Sequence, residues 1–279
     1  MATVMLSEEE KYFIVSGIEE DFRTDGRSCN DYRAITVQTG VISNTSGSVQ
    51  VKLAGTNVLI GVKAEISEPL LSKPNLGKVE FFVDCSANAS PIFEGRGGDE
   101  LAFELSAALQ NTFSGAIDLE KLCIIPGKAC WILYIDALVL ECGGNLFDAL
   151  SIAVKAALHN TRIPTLSIIG EGAEKSIEVS DDPYNSTPID VSNIPVLVTL
   201  NKVGERYIVD ATAEEEICSD AQLLVSINQK GNVCSVQKHG SGGINPDLLF
   251  EMLKVGRKIG RILNEQLNLV LEKQTAEYV

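Results

Sequence analysis

The stretch FEGRGGDE, Phe93 to Glu100, has the residue types that hold phosphate: glycines around one arginine, then an acidic pair opening an apolar, helix-like run. One reading sets Arg96 over a phosphate, with the free N–H groups of a helix start beside it. The plainer reading is a glycine turn whose arginine pairs with Glu94 or Asp99, and this stretch alone favours it. Two groups of acids come next: Asp181, Asp182 and Asp190 in SDDPYNSTPID, and Asp210 with Glu214, Glu215 and Glu216 in VDATAEEE. Clustered carboxylates with a substrate phosphate can hold Mg²⁺. A solvated loop and a strand edge explain them better, and three consecutive glutamates cannot all face one site from a strand. No metal or cofactor site is assigned. Lys254, Arg257, Lys258 and Arg261 form a basic stripe at helical spacing. With Asp247 and Glu251 interleaved, it reads as the solvent face of an amphipathic helix. In ECGGNLFDA, Asn145 is placed to cap a helix that a Gly-Gly bend delivers. P-loop, dinucleotide-binding and GxSxG motifs are absent, and two histidines leave little for Ser-His-Asp chemistry.

The elements that must position these residues follow from periodicity. Ser7 and Glu10 form a capping-box pattern that opens a short helix. SVQVKL and VLIGVKAEI alternate with period two around AGTN, a β-hairpin, and KVEFFVDCSA supplies a further strand. Leu101, Leu105, Leu109 and Phe113 fall at helical spacing behind the glycine turn. ACWILYIDALVLEC is apolar on both faces, as a central, doubly covered strand would be. NLFDALSIAVKAALHN is apolar nearly all round, hence a buried helix, and RIPTLSIIG reads as a strand. A polar, turn-rich segment (170–193) separates a second half of similar plan: strands around Gly204, strands around a QKGN turn, then a long helix. Its stripe runs through Leu248, Met252, Val255, Ile259, Ile262 and Gln266. Strands followed by helix in each half make the fold class α+β.

The chain has 279 residues, 45% hydrophobic and 22% charged, an ordinary globular composition. Its formal charge of −15 argues against a free-standing nucleic-acid binder, whose affinity would come from neutralised phosphates. The longest apolar run, near Trp131–Leu140, contains Asp136 and is too short to span a bilayer. The N-terminus turns acidic at once, unlike a secretory leader. Seven cysteines without a CxxC pair read as reduced interior residues of an intracellular protein.

Taken in order, RTDGRSCNDYR, SNTSGSVQVKLAGTNVLIGVKAEI, FFVDCSANASPIFEGRGGDE, WILYIDALVLECGGNLFDALSIAVKAAL and VDATAEEE resemble the RNase-PH-like ring subunits of the RNA exosome. The resemblance covers almost the whole chain in register. It implies a ribosomal-protein-S5-domain-2-like α+β fold with two βα halves. These would be residues 31–169 and 194–279, with a helix and turn before them (1–30) and a connecting segment (170–193). It also implies a six-membered ring of related subunits, S1/KH-type cap proteins, RNA in the central pore, no membrane, and residence in nucleus, nucleolus and cytoplasm. Active relatives cleave RNA by phosphorolysis, with cations on the attacking phosphate and an acid for Mg²⁺ or proton transfer. Against their pattern, Gly95 and Arg96 match, but Gly97, Gly98 and Asp99 depart. Cys142 replaces an aspartate before the Gly-Gly pair, and Asn145-Leu146 replace Thr-Arg after it. The catalytic acid aligns with Asn193, an amide that cannot act as base. Thr212-Ala213-Glu214 keeps part of a Ser/Thr-Ala-Glu-Gly element, and Asn111 stands where some ring relatives carry arginine. The expectation is a non-catalytic ring subunit that contacts RNA or phosphate through Arg96 first, with Lys128 and Arg27 as weaker candidates. The rival expectation is an active phosphorolytic 3′–5′ exoribonuclease.

Overall fold

The structure is a computed structural model and describes residues 6–169, 176–180, 182 and 185–277. Helix α1 (Glu8–Glu19) begins with the expected capping box, Ser7 and Glu10 each accepting from the other's backbone N–H. The first half then forms strands β1 (Ile35–Thr39), β2 (Gly47–Leu53), β3 (Thr56–Ser67) and β4 (Lys78–Cys85), and helix α2 (Asp99–Phe113). After these come β5 (Cys123–Ile125), β6 (Ala129–Glu141) and helix α3 (Leu146–Asn160). The sheet order is β1-β2-β3-β6-β4, with β5 beside one end of β6. The run expected to be central is central: β6 lies between β3, antiparallel, and β4, parallel. The parallel pair puts the C-terminal ends of β4 and β6 side by side, and α2 serves as the crossover between them.

The second half holds β11 (Val196–Val203), β12 (Arg206–Val209), α4 (Ala213–Ile217), β13 (Ala221–Ile227), β14 (Val233–His239) and α5 (Pro246–Glu277). Its four antiparallel strands run in the order β12-β11-β13-β14. Between the halves lie four short strands, β7 (Arg162–Pro164), β8 (Leu166–Ile169), β9 (Ser176–Val179) and β10 (Ser186–Pro188). β7 pairs with β10 and β8 with β9, apart from both large sheets. The single strand expected over RIPTLSIIG is thus two. Pro164 has no N–H for a ladder, and the Thr165 N–H bonds Asn185 instead.

Helix α3 explains the arrangement. Every residue from Leu146 to Leu158 is buried, because the helix contacts β2 and β3 on one side and β11 on the other. A helix apolar all round must be covered all round. Val49, Val51 and Leu53 of β2 and Leu197 of β11 are fully buried in the same core. The long α5 packs on β11 and β13 through a face offset from the expected one. Its buried positions are Met252, Gly256, Gly260, Asn264, Leu267 and Leu271, whereas Ile262 is 45% exposed. Glycines rather than large apolar residues mark the close contact: a Cβ at Gly260 would come within 2.6 Å of Ile227. No described helix is long and apolar enough to cross a membrane.

Candidate functional site

The candidate residues separate into two places. The first is a buried junction where the N-terminal turn, the Gly-Gly bend and the VDATAEEE segment meet. Asp210, fully buried with φ +50°, accepts from the Arg33 backbone N (2.8 Å), from Arg33 Nε (2.9 Å) and Nη2 (2.8 Å), and from Arg27 Nη1 (3.0 Å). Arg33 Nη1 goes on to the Gly143 carbonyl at 2.7 Å. Arg23, 1% exposed, forms a two-pronged ion pair with Glu215 (2.8 and 2.5 Å) and donates to the Val209 and Asp210 carbonyls. Arg27 also holds Asp25 Oδ2 (2.7 Å) and the Asp31 carbonyl (2.9 Å), so this RNA-contact candidate is turned inward, 13% exposed, and works as a clamp.

Asn145 is the hinge of that junction. The expected cap does not form: Asn145 sits in the left-handed region at φ +57°, and its side chain makes no capping bond. Its Nδ2 instead donates to Asp148 (2.9 Å) and Asp210 (2.8 Å), while its backbone N–H donates to Glu216 Oε1 (2.8 Å). Asp148 accepts in addition from Thr199 Oγ1 (2.7 Å), the Thr199 N–H (3.1 Å) and the Tyr32 hydroxyl. The bend itself leaves no space. Gly144 has φ +91°, and a Cβ there would lie 2.6 Å from Ala213 N.

Charge at the junction is unequal, three arginines against four buried or half-buried carboxylates, and the protons adjust. Burial pushes the Asp148 carboxyl up to about 6 against the hydrogen bonds of Tyr32, Asn145 and Thr199. Burial pushes Glu216 up to about 7, opposed by the Asn145 N–H and Arg33. Burial also acts on Asp210, but the Arg33 guanidinium outweighs it and holds that carboxyl below its ordinary range. Burial beside Asp148 holds the Tyr32 hydroxyl well above its usual value. The three successive glutamates reach three environments because they lie on helix α4, not a strand: Glu214 to solvent, Glu215 to Arg23, Glu216 to Asn145. Thr212 caps that helix with Glu215 in a capping box. Apart from Asn145 Oδ1, which is buried without a partner among the described residues, the junction's polar side chains are held by internal partners, and it ties the halves together.

The second place is the Gly95–Gly98 turn at the C-terminal end of β4. Gly95 takes φ +68°, and Gly98 rests on Cys85, where a Cβ would come 3.0 Å from Cys85 Cβ. Two of the turn's N–H groups are used inside it, Gly97 to the Glu94 carbonyl (3.3 Å) and Asp99 to the Arg96 carbonyl (3.2 Å). Arg96 is exposed and, among the described residues, neither Glu94 nor Asp99 pairs with it. Further along α2, His239 Nδ1 meets Glu104 Oε1 at 2.6 Å, and its ring lies 5.2 Å from that of Phe147 at the start of α3. The C-terminal end of β14 therefore comes to the same side of the molecule as the starts of α2 and α3. At the position after the Gly-Gly bend where active relatives carry arginine, Leu146 is buried.

Register fixes the end of the second sheet at which Asn193 lies. Val196 of β11 pairs with Ile227, and Lys202 at the other end pairs with Ala221, next to the Gln222–His239 pair. The six steps from Val196 to Lys202 span about 20 Å. Asn193, exposed before β11, lies at the end away from His239. Besides Glu104, a carboxylate at the His239 end is Asp220, directly ahead of β13. Its Oδ2 is 3.4 Å from Lys202 Nζ, and its carbonyl accepts from the Gly242 N–H at 2.9 Å. Asp220 was not singled out from the sequence because no motif marks it; strand register is what brings it to that end.

The remaining candidates are dispersed. Lys128 is exposed in the turn between β5 and β6. Asp190 pairs with Lys121 at 3.4 Å, Asp182 is exposed, and Asp181 lies outside the described residues. Asn111 is exposed on α2. On α5, Arg257 donates to the Gly231 carbonyl (2.7 Å) and Arg261 pairs with Glu265 (3.4 Å). Among the described residues no group of three or more His, Cys, Asp or Glu side chains is placed to hold a metal ion.

Two family models match the chain: domain 1 of the 3′ exoribonuclease family, termed RNase PH, over residues 31–164, and domain 2 over residues 193–259. The chain is 37% identical over 310 residues to a Dictyostelium discoideum protein named putative exosome complex exonuclease RRP42, covering 93% of this chain and 96% of that one. It is 35% identical over 256 residues to the exosome complex component Rrp42 of Methanopyrus kandleri, covering 91% and 94%. Among solved structures, a chain of the Archaeoglobus fulgidus exosome with RNA bound to the active site superposes with a TM-score of 0.80 at 32% identity. That match covers 92% of this chain and 96% of the other.

Proposed function

The chain belongs to the 3′ exoribonuclease (RNase PH) family, and from that premise we propose that it is a non-catalytic ring subunit of an RNA exosome. The observation that carries the non-catalytic part is the poverty of cations at the glycine turn. Arg96 stands there among Glu94, Asp99 and Glu100, and Leu146 is buried where a second cation would be needed. An attacking phosphate brings about two negative charges to the turn, and one solvated arginine among three acids stabilises it poorly. Large apolar side chains left in solvent support a life among neighbouring subunits: Tyr12 and Phe13 on α1, Phe103 on α2 and Phe250 on α5 are each more than half exposed. The work proposed is to complete the ring, support a cap protein of the S1/KH type, and lend Arg96 to RNA passing through. That work serves ribosomal-RNA maturation and messenger-RNA turnover in nucleus, nucleolus and cytoplasm.

Asp220 favours a second reading, an active phosphorolytic 3′–5′ exoribonuclease, because it places a carboxylate at the His239 end of the second sheet. The deciding assay is phosphate-dependent release of nucleoside diphosphate from 3′-labelled RNA by the purified chain. No release is expected. Turnover that disappears in both Arg96→Ala and Asp220→Asn would establish the enzyme instead. Native mass measurement of the chain alone and mixed with related ring subunits tests the assembly, and a chain that stays monomeric in the mixture refutes it.

A further inference from the structure

Strands β5 and β6 bring two thiols face to face. Cys123 is the register partner of Cys130. The Trp131 N–H bonds the Leu122 carbonyl at 2.8 Å, while the Cys123 N–H turns away to the Glu120 carbonyl at 3.1 Å. Cys123 and Cys130 are therefore opposite each other at a non-hydrogen-bonded position, directly before a register shift at Ile125; in a regular ladder such pairs have Cα atoms about 4.5 Å apart. A disulfide tolerates Cα separations of about 4.4–6.8 Å. None of the other cysteines, at 29, 85, 142, 218 and 234, has a cysteine opposite it in any strand pairing among the described residues. Both sulfurs are free thiols here. The hairpin is also held close to the sheet: a Cβ on Gly77 would come 2.3 Å from Leu122 Cβ and 2.8 Å from the Trp131 carbonyl. The two cysteines are thus fixed relative to one another by the fold, and Cys123 is half-buried while Cys130 is fully buried.

We propose that Cys123 and Cys130 form a reversible cross-strand disulfide when the protein meets hydrogen peroxide, a modification site that locks the hairpin carrying Lys128 onto β6. The accessible Cys123 thiolate attacks a peroxide oxygen, the O–O bond breaks and hydroxide leaves, giving the sulfenic acid. The Cys130 thiolate then attacks Cys123 Sγ, the S–S bond forms, the S–O bond breaks, and the second oxygen departs as water. Two thiols and one peroxide yield one disulfide and two waters; the sulfurs lose the two electrons that the peroxide gains. Burial raises the Cys130 thiol, Lys78 opposes the rise and Cys123 adds to it, so Cys130 suits the resolving role better than the attacking one.

The test uses the full chain, reduced and then exposed to hydrogen peroxide, quenched with an alkylating agent and mapped by peptide mass. The expected result is a peptide joining Cys123 to Cys130. It should form several times faster than any other cysteine pairing, be reversed by dithiothreitol, and be absent in Cys123→Ser. In Cys130→Ala, Cys123 should stop as a sulfenic acid that dimedone traps. A cross-link that appears only in denaturant, a faster cross-link between any other pair, or oxidation of Cys123 to sulfinic acid in the wild type without a cross-link overturns the proposal. The wild-type map decides even if Cys130→Ala folds poorly.

Discussion

At the junction, Arg23, Arg27 and Arg33 all turn inward onto Glu215 and Asp210, whereas at the Gly95–Gly98 turn Arg96 stands in solvent among acids. Both regions consist of arginines, glycines and carboxylates, and both lie in stretches that resemble the same family. What separates them is burial. At the junction each charge has a fixed partner, and removing one strands the others in a medium that cannot solvate them. At the turn, water serves every group, so the residues can be exchanged at little cost to the fold. A phosphate site needs unspent donors, and the junction has spent nearly all of its own.

The sharpest way to break this comparison is Asp210→Ala. It leaves Arg33, Arg27 and Asn145 without their shared anion and should cost about 3–5 kcal/mol in denaturant unfolding. A cost near zero would mean the junction is not the structural tie described. Glycines give the next contrast. Gly144→Ala combines φ +91° with backbone atoms 2.6 Å from the new Cβ, and should cost about 2–4 kcal/mol. Gly95→Ala meets open space at φ +68° and should cost about 1 kcal/mol. Equal losses at the two positions would erase the distinction.

Acidity separates the regions more gently. Asp148, raised to about 6, and Glu216, raised to about 7, bind protons more tightly in the native state. Their contribution is full below the ordinary carboxylate values and is lost as pH rises through about 6 and about 7. Asp210 has the opposite sign, and its contribution is lost only as pH falls through its depressed value. Between about pH 4.5 and about pH 7, wild-type stability measured against Glu216→Gln should therefore decline by about 2–3 kcal/mol. A flat difference would show that Glu216 titrates as if exposed. The smallest effect belongs to Arg96→Ala, within about 0.5 kcal/mol of wild type in unfolding. In the assembled ring, the same change should reduce the salt slope of RNA binding by about 1, as loss of one phosphate contact does. An unchanged slope removes Arg96 from the RNA path.

Much was legible in the chain by itself. The period-two runs gave the β2–β3 hairpin, the doubly apolar run gave the central β6, and Ser7 with Glu10 gave the first helix cap, because these signals are local and each is enforced by burial of one face or by a neighbouring backbone group. Where the reading failed, the deciding partner was distant in sequence. Asn145 does not cap α3: its backbone is left-handed, and Asp210, 65 positions away, orients the amide through Nδ2, which leaves Oδ1 buried without a partner among the described residues. Glu214 to Glu216 read as a strand edge, but Thr212 starts a helix that a buried Arg23 anchors. The face of α5 was misplaced because Gly256 and Gly260 carry no hydrophobicity, yet they permit the closest approach to the sheet. Composition and periodicity determined the α+β class, the elements and the soft phosphate-like turn. Only tertiary structure decided which arginines are spent, that Asp220 rather than Asn193 comes to the His239 end, and which thiols face each other. Those outcomes depend on strand register and on burial, and neither can be read from residue types along a line.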